Sequence, residues 1–287
     1  MNWLGVWLAC GAVRLRAAAA GAGWFAARSS RVCRSGERLL EVVEALARPQ
    51  GSALPLDAPL AHWAALAVPF APPTRGTVYG TLLNHVDALA ALGDKVNAAP
   101  YKAPPSAPVL YIKPRNTLAG HRQPVVVPAD ATELEIGATL GVVIGATACN
   151  VGEARALEHV AGYTVVNDLC IPHESVYRPS LRFRCRDGFC PIGPAIVARK
   201  MVSDPNYLMI EIGVDGRVVQ RVRTDRLVRP VAKLIADVTE FMTLRPGDVL
   251  MIGVAAGAPR ARAGQRVTIA IENVGTLETP LLAAPSR

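Results

Sequence analysis

The sequence is poor in aromatic and charged residues, and it has no apolar run long enough to cross a membrane. Aromatic side chains make up 5% and charged ones 19% of the 287 residues, against 51% hydrophobic residues. Arg14 and Arg28 interrupt the two apolar stretches near the N-terminus before either reaches the roughly 20 residues of a membrane-spanning helix. This aliphatic composition predicts a folded globular protein without a membrane partner, and it excludes a disordered chain.

The cysteines form no metal-binding or disulfide motif. Six are scattered along the chain, with no CxxC pair and no Cys/His pair at the spacing of a zinc site. We therefore predict a reduced protein of the cytoplasm.

The positive charge of the chain lacks the pattern of a nucleic-acid-binding protein. The formal net charge is +8, but there is no lysine-rich run and no basic stretch with interleaved aromatic residues. Residues 1–50 alone hold seven arginines and only three acidic residues. The remaining excess predicts anionic small molecules, rather than nucleic acid, as partners.

The N-terminal quarter differs in composition from the rest. Residues 1–50 are rich in Ala and Arg, residues 35–46 have the periodicity of a short amphipathic helix, and residues 55–73 are rich in proline. An organelle transit peptide, a small N-terminal domain and an upstream extension all fit this pattern. We place a boundary near Thr74-Arg75-Gly76, which separates an extension or small domain, 1–75, from a main domain, 76–287.

From residue 77 onward, short β-type runs outnumber helical ones. Strands are predicted at 77–83, 109–113, 125–127, 139–144, 163–169, 195–198, 208–222, 249–254 and 266–271, with a two-residue hairpin turn at Asp215-Gly216. Helices are predicted for a segment that ends at Leu92, for 152–160 behind an Asn150 cap, and after Arg229-Pro230, where the apolar face is Val231, Leu234, Ile235, Val238, Phe241 and Met242. Regular βαβ alternation is absent, so the pattern predicts a β-rich α+β fold.

Charge is concentrated between residues 163 and 193. An apolar run ends at Asn167-Asp168, and a polar loop with His173 leads to arginines at 178, 182, 184 and 186. An acid at the end of a buried strand beside a cationic cluster suits a pocket for an anionic substrate. A solvated loop whose charges pair with one another fits the pattern equally well.

Several motifs in a fixed order resemble the fumarylacetoacetate hydrolase family over residues 76–280. They are YIKPRNTLAG at 111–120, GVVIG at 141–145, AGYTVVND at 161–168, YRP at 177–179, CRDGFCPIG at 185–193 and EFMTLRPGDVL at 240–250. The resemblance implies a mixed β-sheet roll or barrel with few helices. Within the family, PYKAPP, KPRNT and CRDGFCPIG are most similar to the N-terminal half of the decarboxylase/isomerase members of 4-hydroxyphenylacetate (homoprotocatechuate) degradation.

The resemblance also implies a divalent cation, usually Mg²⁺, held by a Glu-x-Glu pair and a later aspartate. Asp168 matches the aspartate, but the two glutamate positions hold Gly137 and Thr139. Glu133 and Glu135 lie four residues upstream, about 13 Å too early along a strand, and we interpret them as surface acids. The implied metal site is therefore incomplete in this chain.

The resemblance further implies a reaction and a set of site residues. The reaction is decarboxylation of 5-oxopent-3-ene-1,2,5-tricarboxylate, isomerisation of 2-hydroxyhepta-2,4-diene-1,7-dioate, or both; a catalytically weak structural subunit and an acylpyruvate-type C–C hydrolase are the alternatives. We predict His173, Arg184 and His85 as catalytic residues, and Lys113, Tyr177, Arg178 and Arg186 as groups that bind an anionic 2-oxo di- or tricarboxylate. His85 is the nearest candidate for the family's lid histidine, whose position holds Ala88, and Arg184 stands at the position of a family lysine. A homo-oligomer, or a hetero-oligomer with a paired C-terminal-type subunit, is expected.

Overall fold

The computed structural model describes residues 69, 71–98, 102–173 and 180–285, and the backbone of three short strands before them. Those strands, β1 (Gly5–Leu8), β2 (Gly11–Ala17) and β3 (Phe25–Arg28), form an antiparallel sheet. The predicted helix at 35–46, most of the proline-rich stretch, Tyr177 and Arg178 lie outside the described residues. Within the described residues, no helix is long and apolar enough to cross a membrane.

Strands dominate the rest of the described chain. They are β4 (Val78–Leu82), β5 (Val109–Lys113), β6 (Leu118–Ala119), β7 (Val125–Val127), β8 (Leu134–Glu135), β9 (Ala138–Ile144), β10 (Val160–Asn167), β11 (Cys190–Ala198), β12 (Met209–Val214), β13 (Arg217–Arg223), β14 (Val249–Met251), β15 (Arg260–Ala261), β16 (Arg266–Ile271) and β17 (Gly275–Ala283). The α-helices in this part are α1 (Val86–Ala90), α2 (Glu153–Ala156), α3 (Leu181–Arg184) and α4 (Val231–Phe241). This content confirms the predicted β-rich α+β fold.

The largest sheet has to curl because its two edge strands are close neighbours in sequence. Its seven strands run in the order β5-β4-β14-β9-β10-β11-β6 and mix parallel with antiparallel pairs. A flat sheet would place β5 and β6 about 29 Å apart, at about 4.8 Å per strand. Only residues 114–117 join β5 to β6, and the chain from Lys113 to Leu118 spans at most about 18 Å. The sheet therefore closes towards a barrel, as the resemblance implies.

Tyr111 on β5 fills the space that a glycine leaves on the neighbouring strand. Gly80 pairs with Tyr111 in the β4–β5 ladder, and a Cβ added to Gly80 would lie 2.0 Å from the tyrosine ring. The ring also packs against an apolar cluster drawn from five strands of the curled sheet: Val78, Val143, Val166, Cys190, Ile192, Ile196, Val249 and Met251. A larger residue at position 80 would therefore displace Tyr111.

A second sheet, in the order β13-β12-β16-β17-β7, completes the core together with α4. The helix buries Val231, Leu234, Ile235 and Val238, as its periodicity predicts. Phe241, predicted to be on the same face, is instead 62% exposed. At about 100° per residue, Phe241 lies about 80° from Val231 around the helix, so it falls at the margin of the apolar face.

The sequence correctly predicts the β12–β13 hairpin and the helical segment that leads into β10, but not the cap of that segment. Asp215 and Gly216 have φ values of 49° and 79°, as a two-residue type I′ turn requires. The predicted helix at 152–160 is present as α2 followed directly by a 3₁₀ turn at Leu157–His159, and β10 begins at Val160. Asn150 is not its cap, because Gly152 is at the N-cap position; Asn150 has a φ of 50°, and its N–H donates to the Thr239 carbonyl.

A buried histidine makes the stability of this fold dependent on pH. His121 is 1% exposed, and its Nδ1 accepts the Glu278 N–H at 3.2 Å. Burial, aided by the charge of Arg122, lowers the pKa of His121 from 6.5 to about 4. The unfolded chain therefore takes up this proton at a higher pH than the folded chain. The stabilisation is present above pH 6.5 and is lost as the pH falls towards 4.

We expect His121→Asn to flatten the pH dependence of stability, because the asparagine Oδ1 can accept the same N–H without titrating. In the native protein, titration of His121 should lower the free energy of unfolding by up to about 3 kcal/mol as the pH falls through this window, and the variant should lack this change. Urea unfolding at several pH values measures the difference. His159→Asn, at a partly exposed histidine, is the matched control and should keep the native dependence. An unchanged pH dependence in His121→Asn would contradict the assignment.

Candidate active site

Asp168 lies where several strands of the curled sheet end together. β10 ends at Asn167 opposite the start of β9 at Ala138, and the Asp168 N–H donates to the Gly137 carbonyl at 2.8 Å. The pairings of β14 with β9 and with β4 place the ends of β4 and β14 at the same end of the sheet. Positions 137, 139 and 168, which form the implied metal triad, are therefore close together here.

Three side chains surround the Asp168 carboxylate, which is 1% exposed. The ammonium nitrogen of Lys113 lies 2.7 Å from Oδ1, and Nη1 of Arg184 lies 3.1 Å from Oδ2. The Tyr111 hydroxyl donates a further hydrogen bond to Oδ2. Both carboxylate oxygens are thus engaged, and we refer to Asp168, Lys113, Arg184 and Tyr111 as the buried charge cluster.

The cations keep Asp168 ionised in spite of its burial. Burial raises the pKa of a carboxyl group, but the charges of Lys113 and Arg184 outweigh it and hold the pKa of Asp168 below its ordinary value. Burial and the negative charge of Asp168 raise the pKa of Tyr111 well above its ordinary value, so its hydroxyl stays protonated. Two cations against one anion leave the buried charge cluster with one net positive charge.

Lys113 is fully buried among oxygen atoms of the protein. Its side chain is 0% exposed, and besides the ion pair with Asp168 it donates to the carbonyls of Leu169 at 3.2 Å and Arg184 at 2.7 Å. Two of its three N–H groups therefore bond to backbone carbonyls, and its contact with Asp168 Oδ1 is an ion pair. Lys113, which the sequence predicts to bind substrate directly, is enclosed by protein atoms and does not reach a ligand in this arrangement.

Arg184 is the charged member of the cluster that reaches solvent. Its side chain is 23% exposed, and its guanidinium carbon lies 5.2 Å from the centre of the Tyr111 ring. One of its N–H groups bonds to Asp168. The remaining N–H groups belong to a planar fork that is suited to a carboxylate or an enolate oxygen.

The positions of the implied Glu-x-Glu pair do not accommodate carboxylates. A Cβ added to Gly137 would lie 2.3 Å from the Asp168 carbonyl oxygen, and Thr139 is 0% exposed within β9. Glu133 and Glu135 instead pair with Arg260, at 2.7 Å and 3.5 Å. Across the described residues, no group of three or more His, Cys, Asp or Glu side chains could hold a metal ion. The residues present therefore do not fit a carboxylate-bound divalent cation at Asp168.

The two predicted catalytic histidines lie in different environments. His173 stacks on Phe183 with ring centroids 4.3 Å apart, so it packs against α3, the helix that carries Arg184. Its Nδ1 lies 2.9 Å from the Ile171 carbonyl, which can only accept, so Nδ1 carries a proton. His85 is 4% exposed and caps α1 through Nδ1, while its Nε2 has no hydrogen-bond partner within the described part of the chain.

The structure differs most from the predicted site at Arg186, which lies in a surface ion pair, and at Tyr111, which joins the buried charge cluster. Arg186, predicted to bind substrate, pairs at the surface with Asp130 at 2.7 Å, and Arg182 joins the same carboxylate at 3.6 Å. Tyr111 belongs to the buried charge cluster but is absent from the predicted site residues. A signal for it exists in the sequence, because Tyr111 and Lys113 are two residues apart on a predicted strand and so share a face.

The chain is similar to known proteins over most of its length. The family described as fumarylacetoacetate (FAA) hydrolase C-terminal matches residues 77–282. The chain belongs to the fumarylacetoacetate hydrolase family. It is 38% identical over 208 residues to a 4-hydroxyphenylacetate degradation bifunctional isomerase/decarboxylase from Escherichia coli, and this match covers 72% of the chain and 47% of the relative. The chain thus spans about half the length of the curated relatives it matches.

Two solved structures share the fold of this family member. A fumarylpyruvate hydrolase from Pseudomonas aeruginosa, solved with Mn²⁺ and pyruvate, is 25% identical, with a TM-score of 0.64 and coverage of 74% of this chain and 91% of the other. A 5-carboxymethyl-2-hydroxymuconate delta-isomerase from Mycobacterium smegmatis is 24% identical, with a TM-score of 0.64 and coverage of 100% of both chains. The second likeness bears on the fold alone, and together they confirm the predicted fold class.

We expect Gly137→Ala to destabilise the protein, because the added methyl group would lie 2.3 Å from the Asp168 carbonyl oxygen. The free energy of unfolding should fall by roughly 2 kcal/mol. Urea denaturation measures the loss. Gly152→Ala is the matched control, since a Cβ at that glycine meets nothing within 4 Å. Equal stability of the two variants would contradict the close approach of residues 137 and 168.

Proposed function

We propose that this chain is an enzyme that decarboxylates 5-oxopent-3-ene-1,2,5-tricarboxylate in 4-hydroxyphenylacetate degradation, with or without isomerisation of 2-hydroxyhepta-2,4-diene-1,7-dioate. The observation that carries the proposal is the partly exposed guanidinium of Arg184, which Asp168 and Tyr111 orient. The 38% identity to an E. coli isomerase/decarboxylase supports the same class of substrate. The described cysteines, Cys149, Cys170, Cys185 and Cys190, are free thiols, which agrees with the reducing cytoplasm that we propose as its location.

Decarboxylation requires a place for the electron pair of the bond that breaks. As CO₂ leaves, the pair moves into the conjugated 2-oxo group and forms a dienolate. A proton on the enolate oxygen gives 2-hydroxyhepta-2,4-diene-1,7-dioate, and transfer of that proton to carbon is the isomerisation. In the proposed reaction, Arg184 presents the net positive charge of the buried charge cluster to that enolate. Fixed stabilisation of this kind is worth on the order of 3 kcal/mol in the transition state.

Proton transfer and the remaining carboxylates of the substrate are assigned to other predicted residues. We propose His173 as the proton carrier, because its Nδ1–H is held by a backbone carbonyl and Nε2 is the basic atom. His85 is the second candidate, since its buried Nε2 lacks a protein partner among the described residues. Tyr177, Arg178 and Arg186 are proposed to hold the carboxylates that Arg184 does not contact.

A second candidate function is that of a catalytically weak subunit. The observation that favours it is the lack of room for a carboxylate at Gly137. In this proposal the chain forms a hetero-oligomer with a metal-binding family member, and that partner supplies the divalent cation, usually Mg²⁺, that the resemblance implies. The solved fumarylpyruvate hydrolase holds Mn²⁺. A homo-oligomer is the assembly expected if the chain is itself the enzyme. Hydrolysis of an acylpyruvate is the remaining alternative, because a structural neighbour is a fumarylpyruvate hydrolase.

We expect Arg184→Met to lower kcat/KM for the tricarboxylate by on the order of 100-fold, because the variant removes the exposed cation while keeping an apolar stem. The purified chain, alone and with a metal-binding partner subunit, is assayed for CO₂ release. Arg182→Met is the matched control: Arg182 lies on the same helix, is 75% exposed, pairs with Asp130, and its loss should leave activity unchanged.

Three outcomes would contradict the proposal. Unchanged activity in Arg184→Met would place the chemistry in another chain. Activity that appears only with the partner subunit and survives Arg184→Met would favour the weak-subunit alternative. Cleavage of fumarylpyruvate without decarboxylation of the tricarboxylate would favour the hydrolase.

A further inference from the structure

We infer that the ammonium of Lys113 is the resident cation of this site and takes the place of a divalent metal ion at Asp168. The ammonium nitrogen has three oxygens around it: Asp168 Oδ1 at 2.7 Å, Arg184 O at 2.7 Å and Leu169 O at 3.2 Å. One carboxylate and two carbonyls form an oxygen-only set of the kind that hard cations prefer. Here a tethered ammonium fills that set.

The charges around Asp168 oppose a second cation. Lys113 and Arg184 already supply two positive charges to a single carboxylate, and both carboxylate oxygens are engaged. A divalent ion would meet net repulsion from the cluster. The two carboxylates that would offset this repulsion are missing, because positions 137 and 139 hold glycine and threonine and a side chain at 137 would collide with the Asp168 backbone.

Lys113 also acts as a positioning residue for Arg184. Its hydrogen bonds to the carbonyls of Leu169 and Arg184 join the end of β10 to the end of α3. Since the Lys113 side chain is 0% exposed, it contributes through these contacts rather than by touching a ligand. The orientation of the exposed guanidinium therefore depends on an ammonium buried behind it.

The first test measures metal retention by the native chain. Mn²⁺ titrated into the full chain and followed by electron paramagnetic resonance should remain free, with no stoichiometric site. Asp168→Asn should give the same result. Stoichiometric Mn²⁺ binding that is lost in Asp168→Asn would overturn the inference, and this measurement stands even if variants of Lys113 fail to fold.

The second test replaces the tethered ammonium with a free one. Lys113→Ala removes the atoms of n-propylammonium and frees the three oxygens, so we expect a lowered melting temperature that rises in a saturable way with n-propylammonium chloride. Tetramethylammonium chloride, which has no N–H donor, should give no such rise at the same ionic strength. Lys233→Ala is the control, since Lys233 is 48% exposed and pairs with Asp237 at the surface.

A Lys113→Ala protein with the native melting temperature, or one that responds equally to both salts, would overturn the inference. Neither test uses a substrate. A failed decarboxylation assay would therefore leave this inference standing, and a failed metal or ammonium test would leave the proposed reaction standing.

Discussion

A fully buried carboxylate is the constraint on which the rest of the site depends. An isolated ionised carboxylate is very costly to bury, so Asp168 is tolerated only because cations and a hydroxyl compensate it. One cation comes from β5 and the other from α3, which are far apart in sequence. Closure of the large sheet brings the end of β5 to the end of β10 and so makes this compensation possible. The barrel-like fold and the charge cluster are thus two aspects of one arrangement.

Two glycines are required by the same arrangement. Gly80 leaves room for the Tyr111 ring to lie against β4, and the ring carries the hydroxyl that reaches Asp168. Gly137 lets the backbone of Asp168 approach β9 closely. At both positions the lack of a side chain allows a close contact. At position 137 it also means that the carboxylate ligand implied by the family resemblance is missing, because a side chain there would collide with the backbone of Asp168.

Local patterns in the sequence predict much of the fold and part of the site. Alternation and turn chemistry identify the β12–β13 hairpin, and periodicity identifies the buried face of α4, because these depend on neighbouring residues. The surroundings of Lys113 could not be predicted, since both of its hydrogen-bond acceptors are backbone carbonyls brought near by sheet closure. The position of Asn150 could not be predicted for a related reason: its N–H bonds to Thr239 on α4, a contact between distant segments, and Gly152 is the residue at the N-cap. What sequence patterns miss here is long-range geometry rather than residue chemistry.

A site charged by its own side chains differs from a metal site in what it can offer a 2-oxo acid. A divalent ion has open coordination positions and can polarise the 2-oxo oxygen directly. The cluster described here has one net positive charge and presents it through one planar guanidinium, so its polarising power is smaller and its geometry is fixed before a ligand arrives. The enzyme proposal and the weak-subunit alternative rest on the same residues. They differ only in whether the charge of Arg184 alone supplies the stabilisation that an enolate needs, or whether a metal in another chain must add to it.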